Sequence, residues 1–71
     1  MAAFEKGDKV AIGDFATAHA AGSIIRADAV PEGTALGTVV GAANDEETWF
    51  TVKTDDGDRV LTEDELVKVA D

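Results

Sequence analysis

Seventy-one residues with fifteen acids, six bases and no cysteine describe one small domain, spanning 1–71, with a net charge of −9. A core this close to the lower size limit for independent folding rarely supplies more than about 3–5 kcal/mol, and no disulfide adds to it. The missing cysteines exclude thiol redox chemistry and a cysteine-built zinc site. So large an acidic excess disfavours a sequence-independent grip on nucleic acid or on an anionic membrane, since both need basic surface.

In chain order, Met1–Ala3 is read as a loose lead-in and Phe4 as a ring closing the open end of a core. Lys6-Gly7-Asp8 is a turn, and the first strand follows over 8–12 with Val10 and Ile12 inward. Residues 13–36 form a connection of 24 residues, longer than the ~12–15 expected of a structureless loop, so they should carry structure or function. Asp14 reads as the N-cap of a short helix over Phe15–Ala21 that Gly22 stops. A helix this short is marginal alone and has to dock, through Phe15 and Ala18. Ser23–Ala27 is compatible with a further short strand, and Val30-Pro31-Glu32-Gly33 with a turn.

The second main strand, 36–42, contains Gly37 and Gly41, which suggest bulges or strong curvature. Ala43–Glu47 is an exposed acidic loop. Thr48–Thr54 is β-branched and aromatic, as a half-buried pleated surface requires, with Phe50 and Val52 on one face and Trp49, Thr51 and Lys53 on the other. Asp55-Asp56-Gly57 supplies a hairpin. A type I turn with Gly57 at positive φ sets Val60 opposite Val52, whereas a two-residue Asp56-Gly57 turn pairs Val52 with Leu61. The fourth strand is 58–62. Thr62 and Glu65 form a capping box around Glu63 and Asp64, and the last strand runs over 66–70. The expected interior is Val10, Ile12, Val40, Phe50, Val52, Val60, Leu66 and Val69.

Gly37-Thr38-Val39-Val40, Val52–Gly57 and Asp64–Val69, with Lys6–Val10 in front, together resemble the SH3-like small barrels of the KOW and Tudor type. The resemblance implies an all-β fold: a small five-stranded antiparallel barrel with a long, partly helical connection after the first strand. It is almost silent on function, because this fold hosts many unrelated roles. In such barrels the partner surface is commonly built by the long first loop, the loop after the second strand and the turn before the last, here 13–36, 43–48 and 62–65.

Few side chains invite chemistry. His19 is the single histidine and has no second histidine, cysteine or evident nucleophile with which to act. Asp55-Asp56-Gly57-Asp58 lacks the alternating ligands and distant Glu of an EF-hand, and turn chemistry accounts for it. The glycines form no phosphate-binding motif ahead of a helix. No enzyme, metal or cofactor is therefore expected. Trp49 is the better candidate. It either packs beneath the 13–36 connection or stands out as a partner hot spot, beside a rim of Asp45, Glu46 and Glu47. Phe15, Glu63 and Asp64 complete the expected contact set.

Residues 45–71 hold ten acids against three bases, so most of the charge sits on the back half. The expectation is a non-enzymatic protein-binding module facing a basic partner, with no nucleic acid and no membrane involved. The alternative is an acidic mimic of nucleic acid that occupies a basic site on a nucleic-acid-binding protein. No signal peptide precedes Phe4 and no apolar run approaches the ~18–20 residues of a membrane span, which leans towards the cytoplasm. Richness in Ala, Gly, Val and Asp hints at a GC-rich genome, compatible with a phage-encoded protein aimed at a host factor.

Overall fold

A computed structural model describes residues 2–19 and 22–70; Met1, Ala20 and Ala21, to which the expected lead-in and helix extended, lie outside them. Six strands form one sheet: β1 (Lys9–Ile12), β2 (Ile24–Arg26), β3 (Ala35–Ala42), β4 (Trp49–Thr54), β5 (Gly57–Thr62) and β6 (Leu66–Ala70). One turn of helix, α1 (Asp14–Thr17), follows β1, and 3-10 turns at Ala27–Ala29 and Glu63–Glu65 precede β3 and β6. The fold is all-β, but it differs from the expected closed five-stranded antiparallel barrel. The order is β2-β6-β1-β3-β4-β5, with β2 and β5 as the outer strands, each paired on one side only. Ile24–Arg26 does form a strand, and it lies parallel to β6 with Ile25 opposite Val69. It thereby fills the edge of β6 that closure onto β5 would use.

The strands bury side chains on both faces because β1 and β6 are apolar at successive positions. On the inner face Val10, Ile12, Val39, Phe50, Val52, Leu61 and Leu66 form the main cluster, joined by Phe4, whose ring stands edge-on to Phe50 at 5.3 Å and 84°. On the opposite face Ala11, Ala16, Val67 and Val69 form a second cluster, against which Phe15, Ile25 and Val30 pack. Val69 thus faces away from Leu66 rather than beside it, and Val67 is buried in the second cluster. No charged or polar side chain is buried among the described residues.

Two register details correct the expected interior. Val39 pairs with Val52 and Gly41 with Thr51, so Val40 is the extra residue of a bulge and faces outward, 45% exposed. Val52 pairs with Arg59, Thr51 with Val60 and Phe50 with Leu61, which puts Leu61 inside and leaves Val60 53% exposed. The hairpin loop is Asp55-Asp56, closed by the Thr54–Gly57 pair, so neither expected register holds. Gly57 does take the expected positive φ, 108°. The Thr54 hydroxyl donates to the Gly57 carbonyl at 2.7 Å and accepts from the Asp56 N–H at 3.2 Å, and this clasp sets the register one residue away from the anticipated one.

The connection after β1 carries structure, as its length required. Its helix is capped at Gly13 (φ 98°) rather than at Asp14, which lies inside the first turn. It docks through buried Ala16 and half-buried Phe15, while Ala18 is exposed.

Candidate functional site

The outer sheet face divides in two. At the β2-β6-β1 end, α1 covers it through Phe15 and Ala16, with Val30 packed against the same cluster. At the β3-β4-β5 end the second cluster does not continue among the described residues. There Trp49, 45% exposed, extends from β4, with Val60 of β5 and Val40 of the β3 bulge on the two strands either side. Val40 and Val60 flank Thr51, and Trp49 is two residues along β4, within diagonal reach of Val60. Trp49 is thus one of the exposed large apolar residues and belongs to neither core cluster.

Two acidic segments frame this face at the Trp49 end. The 43–48 loop is organised by Asn44, whose side-chain carbonyl accepts from the N–H groups of Thr48 (3.0 Å) and Trp49 (3.1 Å). Its amide donates to the Thr48 hydroxyl at 2.9 Å, and the Ala43 N–H donates to the Trp49 carbonyl at 2.8 Å. The bend requires Glu47 at φ 57°, the one non-glycine residue with positive φ among the described residues. The second segment is the turn Glu63–Glu65. The Thr62 N–H donates to Glu65 Oε1 at 3.1 Å and its hydroxyl to the same oxygen at 2.7 Å, the capping box expected from the spacing. These bonds, hydroxyl first and backbone second, hold the Glu65 carboxyl below its ordinary range, with Arg59 adding a weaker attraction and Asp64 opposing it.

The Glu63 N–H donates to the Thr48 carbonyl at 2.9 Å and joins the two segments. The fold thus gathers Asp45, Glu46, Glu47, Glu63 and Asp64 at the end of the face where Trp49 stands. Phe15 is placed differently. Its ring packs on His19 at 4.6 Å and into the second cluster, so it belongs to helix docking rather than to the open face. His19 Nδ1 lies 2.7 Å from the Phe15 carbonyl, a local contact within the helix turn.

At the other end of the same face Lys9 and Lys53 flank Thr38 as its partners on β1 and β3's other neighbour β4, beside an open groove of about 340 Å³ that Leu36 and Thr54 also line. Acids stand here too, since Asp58 is the partner of Lys53 on β5 and Asp55 lines the groove, so carboxylates occur at both ends of the face. Sequence reasoning missed Val40 and Val60 because both sit in Val-Val or Val-Leu pairs where alternation serves either member equally. It also missed Asn44, whose signal is an Asn four residues before a Thr that opens a strand.

Among the described residues no three His, Cys, Asp or Glu side chains converge as a metal ion would need, and no helix is long and apolar enough to cross a membrane. Comparison with family models, with curated proteins and with solved structures finds no match to this chain, so the functional reading rests on its geometry.

Proposed function

We propose that this chain is a non-enzymatic protein-binding module whose contact surface is the open Val40–Trp49–Val60 face with its carboxylate rim. Its partner is a protein that presents basic groups around an apolar pocket. The observation that carries this reading is Trp49: a large aromatic, nearly half exposed, on a strand locked on both sides and flanked by two exposed valines. Exposed apolar residues grouped on a rigid element favour partner contact over solvent. The order of the SH3-like elements along the chain, β3, the β4–β5 hairpin, a short turn and β6, supports kinship with those barrels in an open form. The absence of cysteine supports a cytoplasmic setting.

A second reading is favoured by the bond from Glu63 to Thr48, which brings two carboxylate clusters together as a nucleic-acid mimic would need. The two readings separate by calorimetry with a purified partner, in which Trp49→Ala is set against joint Asp45→Asn, Glu46→Gln and Glu47→Gln across a salt series. A hot-spot Trp contributes about 2 kcal/mol or more, roughly a thirtyfold weakening on truncation, with a modest salt response. A mimic instead loses affinity steeply with salt and with the triple change, and tolerates Trp49→Ala. That second pattern would reject the Trp49-centred module.

A further inference from the structure

We infer that the partner engages this face by strand addition: an extended segment with apolar residues at alternate positions and Lys or Arg at both ends pairs with the free edge of β5. The inference rests on the protein-binding reading and specifies its mode.

β5 is the outermost strand on the open side of the sheet. In an antiparallel pair, every second residue turns its N–H and C=O away from its neighbour. The Thr62 N–H goes to Glu65 rather than to β4, while the Glu63 N–H reaches the Thr48 carbonyl. The Trp49–Thr62 pair is therefore a non-bonded one, and so, two and four residues along, are Thr51–Val60 and Lys53–Asp58. The backbone groups of Asp58 and Val60 accordingly point to the open edge, where an added strand would meet them.

Side chains set what that strand must carry. Asp58, Val60 and Thr62 share the outer face with Trp49. An incoming residue opposite Val60 lies beside Val60 on the outer face, with β5 between it and Trp49, and is apolar. Residues opposite Asp58 at one end and near Glu63 and Asp64 at the other are cationic. A second copy of this chain is the wrong occupant. Antiparallel pairing of two β5 edges would set Asp56 and Asp58 of one copy against Glu63 and Asp64 of the other, like charge against like.

The test uses the intact chain, labelled for amide NMR, and the peptide acetyl-KKTVTVTKK-amide, whose Lys-Val-Val-Lys face matches the required pattern. Controls are the same peptide N-methylated at both valines, and acetyl-EETVTVTEE-amide. Strand addition predicts saturable shifts along β5 and at the Trp49 indole, with exchange slowed at the Asp58 and Val60 amides. It also predicts binding weaker by about tenfold or more for either control. Shifts at Trp49 and Val40 without protection at Asp58 and Val60 would overturn strand addition and leave the face reading intact. Equal binding by the N-methylated peptide, or no protection with any peptide, would also overturn it. The partner calorimetry above judges the face reading independently.

Discussion

Single positions show where this fold has no slack. A Cβ at Gly37 would sit 2.4 Å from Val52 Cγ1 and 2.9 Å from the Lys53 carbonyl oxygen, so β3 and β4 approach there only because the side chain is missing. One of those obstacles is backbone and cannot swing aside. Gly37→Ala should therefore cost about 1–3 kcal/mol, read as a melting temperature lower by several degrees. An unchanged melt would show that the strands separate there freely. Glu47 is the opposite case, an L-residue held at positive φ with its backbone bonded to the Asn44 carbonyl. Glu47→Gly relieves that strain and should leave stability unchanged or raise it by up to about 1 kcal/mol, whereas Glu47→Val should lower it. Glu65 adds a pH dependence. Its folded carboxyl titrates below its ordinary value because the Thr62 hydroxyl and N–H favour the anion. The stabilisation is therefore complete above the ordinary carboxyl range and is lost as pH falls through the folded value. Glu65→Ala should melt below the parent at neutral pH, and the two curves should converge in acid. A constant gap would mean that the anion is not what the capping box stabilises.

Among the elements, the ones fixed by short-range spacing were legible and the ones fixed by pairing were not. The capping box from Thr62 to Glu65, the Gly57 turn and the strands around Phe50 all follow from residues within four positions of one another. The β3 bulge and the β4–β5 register depend on partners across the sheet. Val39-Val40 and Val60-Leu61 offer an apolar residue to either face, so one slip inverts the assignment without breaking the pattern. The parallel β2–β6 pair, which keeps the sheet open, joins segments some forty residues apart and leaves no local signature. Of the candidate contact residues, Trp49 and the acids were legible through alternation and exposure. Val40 and Val60 were not, for the same register reason. Substitutions at these pairs check the observed placement. Val39→Ala should cost about 1.5 kcal/mol or more from lost methyl burial, while Val40→Ala and Val60→Ala stay within roughly 0.5 kcal/mol of the parent in chemical denaturation. Reversed sensitivities would restore the unbulged strand. Phe50→Ala is the severest change, since it empties the centre of the inner cluster and removes the edge contact from Phe4. It should cost about 3–5 kcal/mol, close to the whole stability of so small a domain, and leave the chain largely unfolded.

At the scale of the whole molecule, an open sheet with a bare outer strand and an exposed apolar face is a hazard for self-association. The net charge of −9 offsets it, and its placement matters as much as its size. Asp55, Asp56 and Asp58 stand at one end of β5 and Glu63 and Asp64 at the other, so two copies meeting edge to edge confront acids at both ends. The opposite sheet edge is protected differently, by the brevity of β2 at three residues. Charge rather than shape is therefore expected to keep a second copy off the β5 edge, leaving it open to the basic partner proposed above. The consequence is measurable by sedimentation. The chain should remain monomeric at neutral pH and low salt, and joint Asp58→Asn, Glu63→Gln and Asp64→Asn should promote association, more strongly as salt screens the remaining acids. Adding Val60→Lys to that triple variant should restore the monomer by placing a charge on the apolar contact itself. If the triple variant stays monomeric at high concentration and high salt, repulsion is not what protects the edge, and its twist or its short free stretch must do so instead.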